Sequence, residues 1–294
     1  MTALLIVVLF SLGLIGGLFS GLLGIGGGII MVPLLLYVPI LFGLEAISMK
    51  TAAAITMVQS MAGSLSGLVV HKKSKFVHPQ LVIYMGTGSF MGSLTGSFFS
   101  KQITGEVMLG IFAAMALVAT VLMFIPRKET DDLPVENVDF NKYFAFFVAL
   151  QVGLLGGIVG QGGAFILIPM MLYVLKIPTR IALGSSLAIS FLAGLAGFIG
   201  KWGSGQIPFV MAMVLVIGAL IGAQLGGHLS KRLQTATLKA ILSVLIAFTA
   251  LKMWFDLNPI VGYFLSIGFV LFLTFFIKGK GKQKSQSEYF DEYL

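Results

Sequence analysis

Hydrophobic positions along the chain gather into eleven runs separated by short polar or charged interruptions. They fall at about 3–23, 28–43, 47–70, 80–99 and 104–125, then at about 143–159, 163–175, 181–200, 207–229 and 234–255, with a last run at Pro259–Ile277. Most approach the roughly 20 residues that a helix needs to cross a bilayer. Together they predict an all-α polytopic transmembrane helical bundle. The second run of each set is short and interrupted by proline (Pro33 and Pro39; Pro169 and Pro178), which predicts a distorted or partial span. The opening MTALLIVVLF has neither a basic n-region nor a small-residue cleavage site, so it reads as a retained span.

The pattern occurs twice. Gly24–Val38 reads GIGGGIIMVPLLLYV and Gly160–Val174 reads GQGGAFILIPMMLYV, identical at 8 of 15 positions without a gap. A second pair, GSFMGSLTGSFFSK (Gly88–Lys101) and GALIGAQLGGHLSK (Gly218–Lys231), is identical at 5 of 14, including the glycines and the closing Ser-Lys. Such ordered matches mark an internal duplication. The expected organisation is a first transmembrane repeat over 1–125, a cytoplasmic linker over 126–142, a second repeat over 143–256, an extra helix over 257–278 and a disordered cytoplasmic tail over 279–294.

Basic residues choose between two ways of threading these runs. If every run changes side, fifteen of the 19 Lys and Arg fall on one face, and Lys50, Lys101, Lys201 and Lys252 on the other. If the two short runs do not change side, the split is 8 against 11. The first threading carries the bias expected of cytoplasmic loops. It puts the N-terminus outside and the C-terminus in the cytoplasm, as in a bacterial plasma membrane protein. Five runs per repeat is odd, so the second repeat is inserted upside down. Inverted repeats are a recurrent build of secondary transporters, with the site near the midplane between them.

Composition excludes other classes. The chain of 294 residues is 57% hydrophobic and 10% charged, with mean hydropathy +1.02, whereas a soluble domain carries about 25% charged residues. The net charge of +8 sits between apolar runs and gathers on no folded face, which disfavours nucleic acid as a partner. There is no cysteine, and His71, His78 and His228 lack metal-ligand spacing, so no metal and no cofactor is expected. No nucleophile–base pair lies within the runs, which argues against an enzyme. No acidic residue lies at the centre of a run, which disfavours a carboxylate proton relay or a cation site.

The glycine clusters are the candidate chemistry. Gly26, Gly27 and Gly28, with Gly162 and Gly163 in the second copy, can begin the short helices. Their free N–H groups and positive dipole ends would then form anion sites. The competing reading is tight packing or a hairpin bend without ligand contact. Neither copy fits a nucleotide-binding loop. Gln161 replaces Ile25 of the first copy, and can either donate its amide to an oxyanion or tie down the bend. Thr51 aligns with Ser185 (KTAAAIT against GSSLAIS), with Ser186 adjacent; capping competes with ligand contact for these hydroxyls. Gln59 lies within a run and should face the bundle interior. Lys50 and Arg180 stand at corresponding run starts, as interfacial anchors or as attractors of an anion. His228, four residues after Gln224, reads as interfacial. The ladders Gly88-Gly92-Gly96 and Gly218-Gly222-Gly226 are small-residue faces for close helix packing.

GLLGIGGGIIMVPLL, its second copy GIVGQGGAFILIPMML and the following ALGSSLA resemble the sulfite exporter TauE/SafE family, also called the 4-toluene sulfonate uptake permease family, over about residues 5–255. The resemblance implies a bacterial-type transporter of sulfite, thiosulfate, sulfonates or sulfoacetate. Family members are proposed to be proton-coupled. Partners implied are the lipid bilayer, a small anionic substrate and protons. The reading from sequence is a secondary transporter working by alternating access; the alternatives are an anion channel and a transporter of a non-sulfur carboxylate.

Overall fold

The structure, a computed structural model, describes residues 2–72, 76–125, 138–161, 163–202 and 207–266. Among these residues all regular structure is helical. The order is α1 (Ala3–Leu23), α2 (Gly28–Leu41), α3 (Met49–Lys72), α4 (Pro79–Phe99) with a 3-10 turn at Ser100–Gln102, α5 (Gly105–Met123), α6 (Lys142–Val159), α7 (Ala164–Pro169), α8 (Thr179–Trp202), α9 (Phe209–Arg232) and α10 (Thr235–Leu257). Seven of these helices, α1, α3, α5, α6, α8, α9 and α10, are long and apolar enough to cross a membrane. Most of the expected linker, and the tail, lie outside the described residues.

Local chemistry sets the helix starts. Thr2, Thr104 and Asn141 accept from the N–H groups of Leu5, Val107 and Phe144 at 3.4, 3.4 and 3.0 Å. His78 Nδ1 accepts from Leu81 N–H at 3.2 Å, with Pro79 opening α4. In α7, Pro169 has no N–H to donate, and the chain widens at once into the π-helical turn Met170–Val174. The short run of the second half is therefore helical but irregular, whereas α2 stays α-helical through Pro33 and Pro39, so the distortion expected of both runs appears in this form only after Pro169.

The two glycine ladders each grip a helix of the other repeat. Gly218, Gly222 and Gly226 of α9 lie on the backbone of Phe10, Leu14 and Leu18, while Gly13, Gly17 and Gly21 of α1 lie on Leu215, Ala219 and Ala223. Gly88, Gly92 and Gly96 of α4 lie on Phe146, Leu150 and Leu154 of α6. A Cβ at any of these ladder positions would run into a main-chain carbonyl, so the contacts are backbone against backbone. Ser89 and Ser97 add hydrogen bonds to Ala149 O at 3.3 Å and Gly157 O at 3.1 Å.

These registers fix helix directions. Both ladders ascend with their partners, so α1 runs parallel to α9, and α4 to α6. Ser66 bonds Leu220 O, and Val70 touches Gly227, so α3 is parallel to α9. Gly86 meets Leu192 and Gly200 meets Ser97, so α4 is parallel to α8. By contrast Gly67 meets Leu187 while Gly197 meets Met57, so α3 and α8 are antiparallel. α1, α3 and α9 thus run one way, and α4, α6 and α8 the other.

The same contacts set which residues correspond. Met49 and Thr179, which open α3 and α8, stand 130 positions apart, as do Ser100 and Ser230. Gly24 rests on Leu183 O and Gly160 rests on Ala53 O, again at that interval. The alignment of Thr51 with Ser185 is corrected by one helical turn. Thr51 corresponds to Ile181, Thr56 to Ser186, Gln59 to Ile189 and Ser60 to Ser190. A slide of four residues keeps the same helix face inward, so local identity cannot detect it; packing does.

From Leu251 onward the chain forms a separate unit. Within it Lys252 and Asp256 pair at 2.5 Å, and Asn258 Oδ1 accepts from Ile260 N–H at 3.0 Å. Residues 259–266 are helical, where the extra apolar run begins.

Candidate functional site

Each glycine cluster is a helix break. α1 ends at Gly24 (φ 71°), and Gly26 (φ 66°) and Gly27 (φ 76°) turn the chain into α2. α6 ends at Gly160 (φ 84°), and Gly163 (φ 72°) opens α7. These left-handed conformations are those glycine adopts without strain. Gly27 O accepts from Ile30 and Met31 N–H at 3.3 and 3.1 Å, so the amides of Gly28 and Ile29 precede the first intrahelical bond of α2. Gly163 O plays the same part for Ile166 and Leu167, at 3.1 Å each. Gly162 lies outside the described residues.

The breaks meet each other and α3. A Cβ at Gly28 would stand 2.9 Å from Gln161 Cβ and Cγ. One at Gly27 would stand 2.9 Å from Gln59 Nε2, and one at Gly26 would collide with Ser60 Oγ and lie 3.2 Å from Ser64 Oγ. Gly63, on α3, is similarly close to Ser20 Oγ and Gln59 Nε2, at 3.1 and 3.5 Å. Thr56 lies one turn before Ser60 on α3. Ser20, Thr56, Gln59, Ser60, Ser64 and Gln161 are all buried, and their hydroxyl and carboxamide atoms find no hydrogen-bond partner among the described residues. A buried polar atom left unsatisfied costs roughly 1–3 kcal/mol. The cluster is therefore a concentration of neutral hydrogen-bonding capacity directed at one region.

The structure brings Gly26, Gly27, Gly28, Gln59 and Gln161 to this region, and Gly163 caps the facing break. It engages the hydroxyl candidates in bonds of their own, Thr51 and Ser185 away from the breaks and Ser186 against the end of α1. Thr51 sits at the start of α3 in a mutual cap with Ser48 (Oγ–Oγ1 2.9 Å; Thr51 N–H to Ser48 Oγ 3.2 Å). Ser185 Oγ accepts from His78 N–H at 3.0 Å. Ser186 Oγ lies 2.7 Å from Gly24 O and 2.8 Å from Leu183 O, sewing α8 to the end of α1. Ser20, Thr56, Ser60 and Ser64 were not singled out by sequence. The stripe Thr56-Ser60-Ser64, four residues apart on an apolar helix, is the signal that marks them.

The site is asymmetric. Gln59 and Gln161 correspond to Ile189 and Ile25, both buried. Ser186 and Ser190, the counterparts of Thr56 and Ser60, donate to main-chain carbonyls. Each repeat thus gives one carboxamide to the centre, and α3 gives most of the hydroxyls. Beyond the cluster, buried Lys201 donates to Ile158 O near the end of α6 at 3.5 Å.

A bundle that spans the bilayer and buries a polar centre where two broken helices meet is the architecture of a membrane transporter. The chain belongs to the Sulfite exporter TauE/SafE family, whose model matches residues 9–253. It is 28% identical to the probable membrane transporter protein YunE of Bacillus subtilis over 85% of this chain and 97% of that protein. It is 24% identical to the probable membrane transporter protein YjnA of the same organism, over 84% and 99%. A probable membrane transporter protein of Xylella fastidiosa is 26% identical over 74% of this chain and 81% of its own length. No solved structure matches the chain.

Proposed function

We propose that the protein is a secondary transporter that carries a small sulfur-containing anion across the bacterial plasma membrane by alternating access. The substrate class is sulfite, thiosulfate, a sulfonate or sulfoacetate. The observation that carries this reading is the buried cluster of Gln59, Gln161, Ser20, Thr56, Ser60 and Ser64 against the glycine break of α2. Carboxamide N–H, hydroxyl and helix-terminal amide groups all donate to oxygen, and a sulfur oxyanion offers several acceptor oxygens. The cluster holds the anion with neutral donors, and a carrier must also release what it binds.

The duplicated design supports alternating access. Gly24 is covered by Leu183 of the second repeat and Gly160 by Ala53 of the first. Loosening one cover while tightening the other would open the centre to one side at a time. The antiparallel course of α3 and α8, with the lysine and arginine distribution, supports inverted insertion with the N-terminus outside and the C-terminus in the cytoplasm. Proton coupling is the family's expectation and belongs to the same test.

The test is counterflow in proteoliposomes against sulfite, thiosulfate, sulfonates and carboxylates, with and without a pH gradient. Saturable accumulation of a labelled sulfur anion against internal unlabelled anion is expected. Flux without saturation or counterflow would make the protein a channel. Counterflow of carboxylates alone would move it to the other substrate class.

A further inference from the structure

Where α8 begins and α9 ends, Arg180, Ser230 and Lys231 line a small cleft with Phe76 and Leu183. Its volume of about 10 Å³ holds one water, or one oxygen of an anion seated at its mouth. Arg180 is fixed there. Its Nη2 donates to Leu233 O at 3.2 Å, and its Cζ lies 5.6 Å from the centre of the Phe76 ring. A guanidinium carries five N–H donors in a rigid fork, and the bond to Leu233 uses one. Lys231 is exposed and Ser230 is buried.

The cleft and the first glycine break share a residue. Leu183 forms the wall of the cleft, and the Leu183 carbonyl is the group seated on Gly24, with the Ser186 hydroxyl shared between Leu183 O and Gly24 O. A single residue therefore separates the cations from the first glycine break.

The residue types and a cation-to-carbonyl bond recur in the first half of the chain. Lys50, Ser100 and Lys101 occupy the corresponding positions of the first repeat. Lys50 Nζ donates to Lys101 O at 3.3 Å, after the end of α4, as Arg180 donates to Leu233 O after the end of α9. Three residues beyond Lys50, Ala53 places its carbonyl on Gly160, as Leu183 does on Gly24. Interfacial anchoring accounts for the two cations. It accounts neither for the repeated Ser-Lys pair nor for a cleft walled by the residue that covers the break.

We propose that Arg180, Ser230 and Lys231 form a docking site for the oxyanion group at one mouth of the pathway, and that Lys50, Ser100 and Lys101 are its copy at the opposite mouth. The proposal rests on the anion-transport reading. The site acts before translocation. Its loss weakens capture from one side and leaves the turnover of the loaded carrier.

The experiment measures sulfite and thiosulfate transport in vesicles of each sidedness, for the full-length protein and for the double variants Arg180→Gln/Lys231→Gln and Lys50→Gln/Lys101→Gln. For the first variant KM should rise about tenfold when anion is supplied on the Arg180 face. From the other face it should stay within about twofold, with kcat preserved, the signature of lost uniform binding. The second variant should show the reverse sidedness, and Arg180→Lys should restore much of the loss. Should Arg180→Gln fail to fold, Lys231→Gln alone carries the same side-specific expectation, because its side chain is exposed. An unshifted KM, or an equal loss from both faces, overturns the proposal. So does an effect seen in vesicles containing phosphatidylglycerol but absent in pure phosphatidylcholine, which would assign the cluster to a lipid headgroup. Wild-type protein that moves no sulfur oxyanion sinks the transport reading and this one with it; wild-type transport with unshifted KM sinks this one alone.

Discussion

Gln59 and Gln161 are buried carboxamides without a hydrogen-bond partner among the described residues, and each has an isoleucine at the corresponding position of the other half. Replacing a buried unpaired polar group by an apolar one of similar shape is neutral or stabilising. Gln59→Leu and Gln161→Leu should therefore lower the counterflow rate at least about tenfold while the unfolding temperature in detergent holds or rises. A fall in both would make these residues structural. Both glutamines stand out in sequence as polar points in apolar runs. Ser20 and the Thr56-Ser60-Ser64 stripe do not, because serine and threonine are common in such helices and their role depends on which face packs. His78 gives a second residue-scale prediction. Burial pushes its imidazole below the ordinary value of 6.5, and its neutral Nδ1 accepts the Leu81 amide. The unfolded chain then binds the proton more readily than the folded one, so stability is complete above about pH 6.5 and declines as the pH falls below it. Thermal unfolding across that range should show the decline, and His78→Asn should flatten it.

Among the elements, the ladders are the plainest case of sequence predicting packing. Three glycines four residues apart form one smooth helical face. Such a face lets another backbone approach, although the spacing does not say which helix comes. The structure answers α1 for α9 and α6 for α4. Gly222→Leu and Gly92→Leu should each destabilise by about 1–3 kcal/mol or more, since overpacking against a carbonyl has no flexible neighbour to yield. Thermal unfolding in detergent checks this against Gly110→Ala, where an added Cβ meets nothing within 4 Å and stability should hold. The irregular α7 and its π turn were legible as distortion through Pro169. Their particular form was not, because the proline removes a bond without dictating how the chain compensates.

At the scale of the molecule, the ends of α4 and α9 lie at opposite ends of the bundle, since α4 runs with α8, α9 with α3, and α3 opposes α8. Lys101 and Lys231, both exposed, are the reporters. Single cysteines placed there by Lys101→Cys and Lys231→Cys should react with a membrane-impermeant thiol reagent from opposite sides. Labelling of both from one side would end the inverted arrangement. Lys201 is a poor reporter, because its side chain is buried beside Ile158.

The membrane class, the recurrence of the glycine motif, the two glycine breaks and the small-residue faces were determined by sequence alone. They follow from hydropathy, identity and the steric freedom of glycine, all properties of single residues or short strings. The correspondence of α3 with α8, the meeting of the two breaks and the gathering of six unpartnered side chains were decided by tertiary structure. A helix can slide one turn without changing the face it presents, so register is set by the neighbour and not by the string. The polar centre depends on that register, since a shift of one turn would carry Gln59 away from Gly27 and Ser60 away from Gly26.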